Sequence, residues 1–189
     1  MRVSRKEVAK TRQRIVKIAG RLFRERGFDG VGVADIMQKA GLTHGGFYGY
    51  FDSKAALEVE ASAAGLLNGV AKFISSQNEC EGVDFSRVID AYLSAEHRDN
   101  AGGGCTLSAL APEAARSTHA LRHAFEEGLD SYVNAIANVI PGASYAEKRQ
   151  KAIATMAGLV GGIVLARAVD DPATSDEILR ATSTRLKEA

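Results

Sequence analysis

The chain has no tryptophan, only three prolines and two cysteines in 189 residues, and just 6% of it is aromatic. So few prolines leave Ala-rich segments with 3.6-residue periodicity uninterrupted from end to end, which predicts helices throughout and no β-strand. The cysteines, Cys80 and Cys105, form no C-x-x-C pair and argue against a structural disulfide. Long apolar runs are also missing. The longest, Met156 to Ala166, ends at Arg167, well short of the ~18–20 residues needed to cross a bilayer. The N-terminus is basic and carries no apolar signal core, so the expectation is a cytoplasmic protein with no membrane partner. No period of about 20–50 residues repeats, which excludes a solenoid.

Charge is present in near balance but unevenly placed. The net value is +1, yet residues 1–50 hold 11 Lys and Arg against 4 Asp and Glu, and the remainder is acidic. One basic end on a near-neutral chain points to a single face that meets phosphates. With 46% hydrophobic residues, the chain can also build a genuine core.

The basic end contains VADIMQKAGLTHGGFYGYF, residues 33–51, which has the layout of a helix-turn-helix. Val33, Ile36, Met37 and Ala40 recur at helical spacing, Gly41 can take the left-handed conformation that stops a helix, and Leu42 plugs the turn. Thr43 is placed to cap the second helix. Phe47 and Phe51 share one face of it, leaving Thr43, His44, Gly45, Gly46, Tyr48 and Tyr50 to point elsewhere. Before it, TRQRIVKIAGRLFRERGFDG sets Ile15, Ile18, Ala19, Leu22 and Phe23 on one stripe and its charge on the other, enough to close a three-helix unit.

Together with DSKAAL, these segments closely resemble the N-terminal domain of the tetracycline-repressor (TetR) family of bacterial transcription regulators, over roughly residues 8–58. Gly41, Thr43, Gly45, Tyr48, Phe51 and Lys54 stand in the family's register, as does the Gly27-Phe28 pair closing the first helix. The expected DNA contacts are Arg5, Lys6, Arg12, Tyr48, Tyr50 and Lys54 at phosphates and Thr43 and His44 at bases, with Gly45 also among the DNA-binding positions. Three positions depart from the pattern. Gly32 replaces a capping Ser or Thr, Met37 replaces a small Ala and sets the two helices slightly further apart, and Gly49 replaces a side chain that faces DNA. Three glycines in so short a helix predict low intrinsic stability, at about 1 kcal/mol per Gly, and mobility until DNA orders it.

Beyond Phe51, Ser53 can cap a long connector from Lys54 to about residue 76, with an apolar stripe through Leu57, Ala61, Ala64, Leu67, Val70, Ala71 and Ile74. NECEGVD reads as a loop, residues 85–95 as a short helix, and HRDNAGGG as the most flexible point of the chain. Helices then follow over about 106–115, 119–140, 145–169 and 175–187, with DDPAT as the last connection. The segment MAGLVGGIVLARAV is apolar nearly all round, which suits burial within the chain or sharing with a second copy. The resemblance implies a homodimer through the last two helices, with Gly158, Gly161, Gly162, Leu165, Ile178 and Leu179 at the interface.

Catalytic and metal readings are weak. Gly41 to Gly45 is a Thr version of G-x-S-x-G but lacks the preceding strand, and Gly30-x-Gly32 lacks the third glycine of a dinucleotide fingerprint. His119 and His123 stand four apart, with His97 and Cys105 as further donors, but two histidines at that spacing occur often by chance. Cys105 follows three glycines at a helix start, where a thiol is either activated or simply a small buried anchor.

The expected protein is therefore all-α, with about nine helices. Residues 1–52 would form a three-helix DNA-binding domain and residues 53–189 a helical ligand-binding and dimerisation domain. By resemblance it is a non-enzymatic regulator that needs no cofactor, a repressor that binds double-stranded operator DNA as a dimer. A small-molecule effector would release it from a pocket among Phe73, Tyr92, Cys105, Leu107, Leu110, Phe125, Leu129, Tyr132 and Met156. The alternative is a helical small-molecule or electrophile sensor with weak or lost DNA binding.

Overall fold

The computed structural model describes residues 4–78 and 85–188. Among them are nine α-helices, two short 3-10 segments and no strand. Helix α1 (Arg5–Arg26) begins where the Ser4 hydroxyl accepts the Glu7 N–H and ends at Gly27, whose φ of 75° no other residue adopts cheaply. Its stripe of Ile15, Val16, Ala19, Leu22 and Phe23 is buried. Helix α2 (Val33–Lys39) starts at Gly32, where the missing side-chain cap is replaced by Asp35, whose carboxylate accepts the Gly32 N–H at 2.9 Å. Gly41 has φ 70° and turns the chain as expected.

The second element of the motif is a 3-10 helix, His44–Gly49. Its bonds close over three residues, from the Gly46 N–H to the Thr43 carbonyl and from the Tyr50 N–H to the Phe47 carbonyl. Three glycines supply little propensity for the wider α turn, and Phe47, fully buried, fixes the segment from beneath. The Thr43 side chain makes no capping bond, contrary to expectation.

Helix α3 (Lys54–Asn78) is capped by Ser53, which accepts the Ala56 N–H. It packs against α1 at one end and along α7 (His119–Ala137) for much of its length. The buried stripe differs from the expected one. Leu57, Ala61, Ser62 and Leu66 face the core, whereas Leu67 and Ile74 are exposed. Serving two partners rotates the buried face along the helix, and Gly65, Gly69 and the glycine at 128 on α7 allow the close approach.

The region read as one helix over 85–95 is two. Helix α4 (Phe85–Tyr92) stops, Ser94 caps α5 (Ala95–Asp99), and a 3-10 turn follows at Ala101–Gly103. Helix α6 (Thr106–Ala114) then packs against α7 and α8 (Tyr145–Ala168). Helix α8 lies between α7 and α9 (Pro172–Lys187). DDPAT is not all connection: Asp171 caps α9 and Pro172 takes its first turn, where a missing N–H costs nothing. By length and composition α8 alone among the described residues could cross a membrane, but Ala152, Met156, Leu159, Ile163 and Ala166 are buried against its neighbours. Residues 79–84 of the NECEGVD stretch, read above as a loop, and Cys80 among them lie outside the described residues.

Candidate nucleic-acid interface and effector core

The 3-10 segment has two unlike sides. Phe47 is fully buried and stacks on Phe51 with centroids 5.5 Å apart, while Tyr48, the next residue, is 67% exposed. Thr43, His44, Gly45 and Gly49 are also exposed, and a Cβ at Gly45 or Gly49 would meet nothing within 4 Å. The outer surface is therefore low, with His44 and Tyr48 as its tall side chains, so a groove floor can come close to backbone. Tyr50 is half-buried and contributes its carbonyl to the fold, as an acceptor for Arg12.

The basic residues expected at phosphates fall into two groups. Arg5 and Lys6 are exposed on the first turns of α1. Arg12 instead donates Nε to the Tyr50 carbonyl at 3.2 Å, pairs with Glu60, and lays its guanidinium 4.5 Å over the Phe51 ring. Lys54 donates to the Phe28 carbonyl at 2.6 Å and sits 3.5 Å from Glu58. Both therefore tie α3 to the motif.

Further ties run from α1 and the residues just after it to the 3-10 turn at Ala101–Gly103 and to α6. Glu113 accepts the Phe28 N–H at 2.7 Å, and a Cβ at Gly27 would stand 2.7 Å from the same carboxylate. Arg24 donates Nε and Nη2 to the carbonyl of Gly102, at 3.0 and 2.6 Å. The triple glycine is thus a docking surface, not a flexible point. Any side chain at Gly102 would strike Glu25, and the Gly103 N–H is held by Asn100.

Immediately after that turn lies a buried polar seam. His97 Nδ1 is 2.7 Å from the Tyr92 carbonyl and Nε2 accepts the Cys105 N–H at 3.0 Å, which assigns the proton to Nδ1. Burial, chiefly, lowers the His97 pKa below 6.5 and keeps the ring neutral. The Cys105 thiol is 4.0 Å from the Tyr132 hydroxyl, and Phe73 meets Tyr132 edge-on. Burial, chiefly, raises the pKa of both the Tyr92 and Tyr132 phenols, so they stay protonated donors. Arg167 donates to the His97 and Arg98 carbonyls.

Of the residues expected to line an effector pocket, Tyr92, Cys105, Tyr132 and Phe73 come together in this seam. Leu107, Leu110, Phe125 and Met156 are buried in the same core, and Leu129 is exposed on the surface. The sequence reading passed over Arg24, Ser62, His97 as a partner of Cys105, Thr106 and Arg167. Gly65 and Gly69, four apart on α3, were the available signal, since small residues at that spacing mark where Thr106 and Tyr132 press on the backbone.

The expected dimer residues also divide. A Cβ on Gly162 would meet Leu93 and Thr182, one on Gly158 would meet Leu186, and Leu179 is buried, so these pack within the chain. Gly161 faces open space, Leu165 is 58% exposed and Ile178 is partly buried.

A basic helix-turn-helix with an exposed second element, joined to an all-helical core, is the layout of an N-terminal DNA-binding domain on a helical partner domain. Residues 15–61 match the family model described as bacterial regulatory proteins, tetR family. No curated protein sequence matches the chain. Solved structures of similar fold include a TetR-family regulator from Cytophaga hutchinsonii, with TM-score 0.77 at 20% identity, covering 100% of this chain and 98% of that one. The reduced form of E. coli NemR has TM-score 0.76 at 20% identity over 95% and 96% of the two chains. A regulator from Saccharomonospora viridis in complex with choline has TM-score 0.74 at 16% identity over 95% and 96%.

Proposed function

We propose that this chain is a cytoplasmic, dimeric repressor that binds a palindromic operator and is released by a small-molecule effector. Residues 1–52 act as the DNA-binding domain and residues 53–189 as the regulatory one. The observation that carries the reading is the two-sided 3-10 segment, which anchors Phe47 completely and offers His44 and Tyr48 outward. Thr43, His44 and the backbone at Gly45 read bases; Tyr48, Arg5 and Lys6 hold phosphates; Arg12 and Lys54 set the pose from behind.

Two recognition segments need a two-fold axis, and the exposed stripe of Gly161 and Leu165 on α8 supplies a self-complementary face. The effector enters the seam around Cys105 and biases α3, which runs from that seam to the motif. Selection of fragments from random DNA by the purified protein tests the whole reading. The expected product is a palindrome with half-sites about one helical turn apart. Recovery of unselected sequence would favour the alternative, a sensor with weak DNA binding. Cys105 is only 8% exposed, which favours a noncovalent effector over direct attack on the thiol.

A further inference from the structure

The effector core holds a charge imbalance. Arg24 is half-buried, yet both hydrogen bonds it makes go to one neutral carbonyl, that of Gly102, and no carboxylate pairs with it among the described residues. Its remaining nitrogen, Nη1, stands 3.1 Å from where a Cβ on Gly65 would be. Thr106 Oγ1 lies 2.5 Å from that same point. Thr106 is 2% exposed and its hydroxyl has no hydrogen-bond partner; the same holds for Ser62, one turn before Gly65 on α3. The Tyr92 hydroxyl is a third buried group without one.

On the far side of Cys105 the pattern repeats. Arg167 is half-buried and bonds carbonyls and the Ser108 hydroxyl, again with no carboxylate. An unpaired half-buried cation and an orphaned buried hydroxyl are each costly, and the meeting of Arg24 with Thr106 beside Gly65 is explained by a group that the chain itself does not provide. That group must accept hydrogen bonds and carry negative charge.

We propose that the effector is a small organic carboxylate, received by Arg24 Nη1 and Thr106 Oγ1 with its apolar body toward Phe73 and Tyr132. This rests on the reading of the protein as an effector-responsive regulator. A single charge fits, because each guanidinium is already partly engaged. The recognition also carries the signal: Arg24 belongs to α1 and grips the turn before Cys105, so a carboxylate that draws its guanidinium loosens the bond to Gly102.

Calorimetry on the full-length protein with three acid and amide pairs tests this: benzoate and benzamide, phenylacetate and phenylacetamide, octanoate and octanamide. Choline serves as the cationic counterprobe. At least one acid is expected to bind about tenfold or more tightly than its amide, and choline not to compete with it. Thr106→Val removes the hydroxyl at constant shape, so it should leave the melting temperature unchanged or raised while weakening the acid about tenfold or more. Arg24→Lys should weaken it similarly.

Equal binding of acid and amide, preference for choline, no binding of any acid at millimolar concentration, or an unchanged acid affinity in Thr106→Val would each overturn the proposal. Fluorescence anisotropy of the selected DNA fragment on the same protein separates the two readings. Intact DNA binding with no acid preference removes only the ligand class, whereas absent DNA binding removes the regulator.

Discussion

Met37 packs beside Gly46. Its side chain is fully buried, and its Cε lies 3.8 Å from where a Cβ on Gly46 would stand. A methyl there would fit at ordinary contact distance, whereas a longer side chain would press on Met37. Gly46→Leu should displace Met37 and lower DNA affinity, and Met37→Ala in that background should restore part of it, as a double-mutant cycle in an anisotropy assay would report.

The neighbouring glycines differ in kind. Gly45 and Gly49 have open space at the Cβ position and no positive φ, so Ala at either should raise stability by about 0.4–1 kcal/mol. Gly41→Ala must instead hold a left-handed backbone and should cost about 1–2 kcal/mol. Urea unfolding of the three variants checks the contrast, and a gain for Gly41→Ala would contradict it.

Arg12 and Arg5 should part ways on replacement by Ala. Arg12 stacks on Phe51 and bonds the Tyr50 carbonyl, so its loss should cost about 1–2 kcal/mol of stability. Loss of Arg5 or Lys6, both exposed, should leave unfolding unchanged and flatten the slope of log affinity against log salt by about 0.9 each.

His97 should make stability depend on pH. Burial holds its pKa below 6.5, so just beneath that value the unfolded chain binds more protons than the folded protein. Stability from this group is complete above about pH 6.5 and is lost as pH falls toward the lower folded pKa. Melting temperatures between pH 7 and 5 should therefore decline more steeply in the wild type than in His97→Gln, whose uncharged side chain carries no such proton.

On α8, Leu165→Glu and Gly162→Glu should fail differently. The first charge lands on the exposed stripe and should yield folded monomers by sedimentation, with weakened operator binding. The second lands against Leu93 and Thr182 inside the chain and should unfold it. A Leu165→Glu protein that sediments as a dimer would move the interface elsewhere.

Helix positions and the glycine turn were legible in the sequence because they depend on local patterns: Gly41 at a stop, Phe47 and Phe51 four apart, Ser53 as a cap. The seam was only half legible. Tyr92, Cys105 and Tyr132 could be picked out by type, whereas Arg24 read as one more charge on α1, because what defines it is Gly102, 78 residues away. The stripe on α3 was misjudged for a related reason, since Leu66 and Leu67 are equally apolar and only the placement of α1 and α7 decides between them. DDPAT hid a helix start because proline reads as a stop unless the capping Asp171 is weighed with it.

The paired ties of Arg24 to Gly102 and of Glu113 to Phe28 bear on how this protein can be re-engineered. A chimera that exchanges the first 52 residues for those of another protein of this fold would lose the Arg24 side chain that holds Gly102, while Glu113 and the Lys54 ammonium would still meet a backbone N–H and carbonyl at position 28. On the function proposed above, such a graft would keep its helix-turn-helix but answer an effector poorly, so transplanting specificity here means moving Arg24 together with the turn it grips.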